Sequence, residues 1–191
     1  MHLFKKSTVV AIFSFPLCFG CVLFAEQAWA THCDVVMSEP TLHLGRVMHP
    51  GVSAGSAPHD AYAIAARTVS VNVGCSEETG LALVVRGNAL GERFRFARGG
   101  HVAVRMSNAQ VDGRSVELAT VGSAAEVPSH SAASVEVKPG NRIVPMAAGV
   151  IARGTVMTVQ VDIRPHVPLH ELRGREETSL DSHLQFEVET H

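Results

Sequence analysis

Several groups of side chains in this chain have the types and spacing that chemistry needs. Gly51-Val52-Ser53-Ala54-Gly55 matches the G-x-S-x-G pattern of serine hydrolases. That pattern exposes a nucleophile only where a strand runs in and a helix runs out. Pro50 precedes it and Ser56-Ala57-Pro58 follows, so the flanks predict a loop. Histidine is abundant beyond residue 30: His32, His43, His49, His59, His101, His130, His166, His170, His183 and His191. A zinc or copper site needs three or four ligands converging at about 2 Å, usually seeded by a closely spaced pair. His166 and His170 have the spacing of a helix face, but Pro165 and Pro168 break any helix there. No H-x-H occurs, and His170-Glu171 lacks the second histidine of a zincin motif. Exposed loop histidines are the expected reading, and a His-rich metal-binding sandwich is the alternative. Glu171, Glu176, Glu177 and Asp181 gather near the C-terminus; outside a cleft of fixed geometry, such carboxylates make a charged loop rather than an acid–base pair.

The four cysteines divide by position. Lys5 and Lys6, an apolar stretch from Val9 to Ala25 and the small-residue site Ala28-Trp29-Ala30 form, in that order, a secretory signal peptide. Ser14 and Pro16 interrupt the apolar run, which argues against a retained membrane anchor. Cys18 and Cys21 lie inside residues 1–30 and leave with them, so Cys33 and Cys75 remain in the exported chain. A lone pair of cysteines in an exported protein predicts one disulfide. The leader also removes Lys5, Lys6 and Glu26, leaving 14 basic and 17 acidic side chains over residues 31–191. A mildly acidic chain with no run of basic residues points away from nucleic acid. Residues 31–191 amount to one domain large enough to bury a core. Tyr62, Phe94, Phe96 and Phe186 are its only aromatics, so that core must be mainly aliphatic.

The elements that position these residues read as strands. Val69, Val71 and Val73 alternate with polar neighbours up to Cys75, and Leu81 to Val85 is a continuous apolar run, as in a strand buried on both faces. Ala61 to Arg67 leads into the first of these. Val102, Val104 and Met106 alternate; Asp112-Gly113 marks a tight turn before Val116 and Leu118. Val135 and Val137 run into the turn Pro139-Gly140-Asn141. Met157 to Ile163 is the clearest strand and Leu184 to Val188 the last. No long segment has a helical period, and residues 49–58 read as a loop. Short strands with turn signals about every ten residues predict an all-β sandwich, its first two strands tied by Cys33–Cys75.

Taken together, these features resemble the subunits of chaperone–usher fimbriae, across essentially the whole of residues 31–191. The resemblance rests on Cys33, then Leu42-His43-Leu44-Gly45, then alternating valines closing on Cys75 and the strand Leu81 to Gly87. It is similar in particular to a fimbrial group catalogued as a domain of unknown function. That group shares the Gly99-Gly100 approach, the turn Asn108-Ala109-Gln110-Val111-Asp112-Gly113 and the start Leu180-Asp181-Ser182 of the last strand. Two positions depart from the pattern: Thr190 stands next to last where classical subunits carry an aromatic, and Ser182 stands where the related group has glycine.

The resemblance implies an immunoglobulin-like, pilin-type sandwich that lacks one strand, with no enzymatic activity and no cofactor. It implies a strand-acceptor edge at Leu184, Phe186 and Val188. It implies as partners a periplasmic chaperone, an outer-membrane usher, other fimbrial subunits and a host receptor, and a route through the periplasm to the cell surface. Only Thr31 and His32 lie between the cleavage site and Cys33, whereas a polymerising subunit carries a donor segment of a dozen or more residues there. The expected place is therefore an end of the fibre, as for a tip adhesin. Sequencing the N-terminus of the exported protein is expected to read Thr31-His32-Cys33; a retained leader would overturn the export reading.

Overall fold

Valine alternating with small polar residues favours extended backbone, because branched side chains pack well on a pleated surface. A computed structural model describes residues 32–44, 61–122, 126, 128, 130–173 and 180–190, and over these the chain is all-β. β1 (Cys33–Met37) and β2 (Ala61–Ala63) precede β3 (Arg67–Gly87), a strand of 21 residues. A short ribbon, β4 (Ala89–Leu90) and β5 (Arg93–Phe96), leads to β6 (Gly100–Val111), which turns into β7 (Arg114–Ser115). β8 (Glu117–Val121), β9 (Ser134–Val137), β10 (Arg142–Ala147) and β11 (Val150–Ile151) follow. β12 (Arg153–Pro168) and β13 (Leu184–Thr190) complete the set, with a 3-10 turn at Glu171–Arg173 between them. These strands belong to one compact unit, Thr31–His191. The leader and the Gly51–Gly55 motif lie outside the described residues, as do Gly45, His49, His59, Glu176, Glu177 and His191.

Every ladder is antiparallel, and β3 takes part in two sheets. Its first half pairs with β1 on one edge and β12 on the other; β12 pairs in turn with β6. The far edge of β6 is shared by β5, β9 and β7. Its second half pairs with β13 on one edge and β10 on the other, and β10 pairs with β8. The two sheets face each other across one core. Val71, Val73, Leu81, Leu83, Val85, Met106, Leu118, Ile143 and Met157 all bury their side chains there, together with Phe94.

Two details differ from the sequence expectation. Thr68–Cys75 and Leu81–Val85 are halves of one strand, not two strands in succession. On β12, Gly154 pairs with Thr79 while Val156 pairs with Gly74, so Cys75–Glu78 swing away from that ladder as β3 crosses between sheets. β2 also intervenes, so Cys33–Cys75 ties β1 to the third strand in chain order. The arrangement otherwise follows the pattern: Ala82 and Val84 are buried on the reverse face from Leu81, Leu83 and Val85. The cysteines are 42 residues apart, and closing a loop of that length stabilises the fold by about 4 kcal/mol on the chain-entropy account.

The crossing is held by the Asp112-Gly113 turn. Asp112 (φ 48°) and Gly113 (φ 76°) both adopt the left-handed backbone of a tight hairpin turn. The Asp112 carboxylate accepts hydrogen bonds from Thr155 N (3.1 Å), Thr155 Oγ1 (3.1 Å) and Val156 N (2.9 Å), at the place where β3 has left β12. Its own N–H donates to Val156 O at 2.9 Å. Only glycine fits at 154, since a Cβ there would lie 2.4 Å from Val111 Cγ1 and 2.6 Å from Asp112 Oδ2.

The hydrogen bond from Val156 N is the largest cause holding the Asp112 carboxyl below the ordinary aspartate range, and Thr155 adds to it. A depressed folded-state pKa contributes stability that is complete above the unfolded value, about 3.9. That contribution is lost as pH falls through the folded value. Asp112→Asn is expected to lower the chemical-denaturation midpoint at neutral pH, and the gap from the parent to close as the pH falls through the acid range. A gap independent of pH would show that the charge of Asp112 carries no part of the lock.

Candidate functional site

β3 has two edges, and one of them is filled along most of its length by β12 and then β10. β1 and β13 therefore sit in line along the other, β1 against Val71–Cys75 and β13 against Leu81–Gly87. Both run antiparallel to β3, so they run parallel to one another. Because β3 crosses between sheets, β1 ends up as the edge of one sheet and β13 as the edge of the other, on the same side of the core. Neither has a second strand partner among the described residues.

The inward side chains of these two strands are among the partly covered residues of the core. Cys33, Val35 and Met37 from β1 pack on the core but are only half-buried, as are Leu184, Phe186 and Val188 from β13. Residues of β3, the strand both pair with, are deeper: Val71, Leu83 and Val85 are fully buried. Leu42 and Leu44 also pack on the core, half-buried, after β1 has ended. Leu184, Phe186 and Val188 thus share one face of one edge strand, beside the disulfide-bearing strand.

β13 is fastened to the rest of the sheet mainly on its outward face. Glu189 receives Arg142 Nε at 2.6 Å and Arg142 Nη2 at 3.2 Å, a two-point contact. Arg86 donates its Nε to Glu187 at 2.5 Å, and that carboxylate raises the guanidinium above its ordinary value. Ahead of β13, Ser182 Oγ donates to Arg95 O at 2.7 Å, and Asp181 O accepts from Ala97 N at 3.1 Å. The hydroxyl at position 182 therefore fixes the entry of the last strand.

Proteins usually blunt exposed sheet edges with short strands, proline, bulges, or charges pointing inward. β13 (Leu-Gln-Phe-Glu-Val-Glu-Thr) runs seven residues and pairs with β3 without a register shift, with no proline, no bulge and no inward charge; its edge charges, Glu187 and Glu189, face outward and are taken up by Arg86 and Arg142. It is the longest strand with a single strand partner among the described residues. A row of backbone groups beside half-covered apolar side chains suits one kind of chemistry, the addition of another extended segment. It offers no nucleophile or acid–base pair. Among the described residues, no three of His, Cys, Asp and Glu lie close enough to hold a metal ion.

Comparison with known proteins adds no relative: no family model, no curated protein and no solved structure matches this chain. Hydrogen exchange reads the site directly. In an antiparallel edge strand every second amide points away from its one neighbour. Protection along β13 is expected to alternate with a period of two, while Met157–Ile163, paired on both sides, is protected throughout apart from its bulge. Uniform protection along β13 would mean that its outer edge is already covered.

Proposed function

We propose that this chain is a non-enzymatic fimbrial subunit that accepts a strand from another polypeptide. In this reading the two sheets form an immunoglobulin-like, pilin-type sandwich short of one strand. The incoming segment lies along Leu184, Phe186 and Val188, between β13 and β1. The observation that carries the reading is an unblunted seven-residue edge strand with three half-covered apolar side chains. Supporting it is the disulfide between β1 and β3.

The energetics favour a durable joint. Each apolar side chain that the incoming strand buries adds about 1.5–3 kcal/mol, and the backbone ladder fixes its register. In transit, a periplasmic chaperone supplies the strand and keeps the edge from pairing with other chains. At the outer-membrane usher, another subunit replaces it. With cleavage after Ala30, only two residues precede Cys33, too few to make a donor strand. The chain then accepts without donating and sits at an end of the fibre, where a tip subunit meets its receptor.

Produced alone in a periplasm, the mature protein is expected to aggregate or be degraded, and co-production with a pilus chaperone to yield a one-to-one complex. Phe186→Asp, which sets an uncompensated charge into the joint, is expected to cut recovery of that complex at least about tenfold, an amount equal to about 1.4 kcal/mol. A stable monomer needing no partner, with β13 uniformly protected, would end this reading.

A further inference from the structure

The outward face of the larger sheet carries a second grouping, far in character from the β1–β13 edge. β5, β6 and β12 lie side by side, with Arg95 opposite His101 and His101 opposite His166. One row along, Arg164 stands opposite Ala103, and Arg93 lies at the matching position of β5. Two arginines are thus set on either side of an alanine, two strand spacings apart, or about 9–10 Å. Ala103, itself half-buried, puts only a methyl group between their positions.

The histidines form the wall of this space. Their rings stack with centroids 4.6 Å apart and planes 6° from parallel. Arg93 Nη1 lies 2.9 Å from His101 Nε2, so that nitrogen accepts and the imidazole is neutral. His166 Nδ1 donates to Arg164 O at 3.1 Å. A guanidinium bonded to a neutral imidazole keeps its whole charge and its other donors. Arg93, Arg95 and Arg164 have no carboxylate within ion-pair distance among the described residues. Arg95 Nη1 instead donates to Arg98 O. The acidic groups nearest in the ladder are in the next row: Asp162, which accepts from Thr68 on β3, and Glu136 on β9, opposite Arg105.

Arginines without a carboxylate partner, set on a rigid sheet around a methyl-sized residue, are an arrangement for binding an anion. We propose that this face binds an acidic polysaccharide, whose sulfate or carboxylate groups seat over Ala103 between Arg93 and Arg164. The surroundings favour a glycan over other polyanions. The flanking outward residues (Arg105, Asp162, Thr68 and Ser107) are polar, with no apolar side chain to enter a bilayer. No Phe, Tyr or Trp among the described residues lies on this face, and Asp162 and Glu136 close the basic area after two rows, too short a stripe to follow a nucleic-acid backbone.

Protons are coupled to the site. Burial, then the Arg93 charge, then His166 hold His101 below the ordinary histidine value. For His166 burial also leads, partly offset by the hydrogen bond to Arg164 O, with the Arg164 and Arg93 charges adding to the depression. A bound anion relieves the repulsion from those guanidiniums, so the imidazoles gain protons and affinity rises as pH falls. The titratable groups facing the pair are Arg93 and Arg95 from β5, Arg105 from β6, and Asp162 and Arg164 from β12.

Calorimetric titration of the purified protein with a sulfated oligosaccharide of heparin type, and with a carboxylate-only polyuronate oligosaccharide, tests this at about pH 5.5 and about pH 7.5, either side of the ordinary histidine value. At least one should bind, and the tighter of the two identifies the group recognised. The double variant Arg93→Gln/Arg164→Gln is expected to lose about tenfold or more. So is Ala103→Glu, which seats a carboxylate in the space and guards against an unfolded double variant. The charge-matched control Arg114→Gln/Arg153→Gln should retain binding, and His101→Gln/His166→Gln should flatten the pH dependence. Binding of neither oligosaccharide would overturn the proposal, as would equal loss in the control, full binding by Ala103→Glu, or tighter binding to anionic lipid vesicles than to either sugar.

Discussion

One strand has to serve two sheets, and most of the architecture follows from that. β3 exposes backbone donors and acceptors along 21 residues on both edges, and buried backbone groups need partners. On one edge β12 and β10 supply them, and where β3 leaves the ladder the Asp112 carboxylate accepts from the amides of β12 instead. On the other edge the supply comes in two pieces, β1 and β13. Those pieces lie in different sheets, so each ends as an edge strand, and both edges open on the same side of the core.

That geometry explains why burial is uneven. The middle of the core is closed by facing strands from both sheets, whereas Val35, Met37, Leu184, Phe186 and Val188 have neighbours on one side only. The two ion pairs on the outer face of β13 hold it in place without covering its inner face. An apolar row beside unpaired backbone is an aggregation hazard in a protein that acts alone. In a protein that is completed by another chain, the same row is the joint. The missing defences of β13, more than any single residue, are what favour the second account.

The larger sheet serves a different purpose on its outward face. Its inward residues are mainly aliphatic and make the core; its outward residues are mostly polar and bond to one another across the strands, with Val36 and Val156 as exposed apolar exceptions. Arg93, Arg95, His101, Arg164 and His166 come from three strands, and strand pairing alone brings them together. A tip subunit that is joined at one edge and binds sugar on an open sheet face would keep its two interactions apart. Neither would then compete with the other for backbone or side chains.

Much of the fold was legible in the residues themselves. Alternating valines, the Asp112-Gly113 and Pro139-Gly140-Asn141 turns and the two remaining cysteines gave most of the strands, the β6–β7 hairpin, the turn from β9 to β10 and the disulfide, because period-two patterning and turn chemistry are local properties. Arg93-Phe94-Arg95-Phe96 alternates just as clearly, but four residues are too few for the period alone to mark a strand. The union of two strands into β3 was not legible, since nothing local distinguishes a strand that changes sheets from two strands in sequence. The edge position of β13 and the meeting of His101 with His166 across 65 positions of chain are matters of register. Register is decided by which backbone edges remain to be filled once the core has closed, and only the tertiary structure decides that.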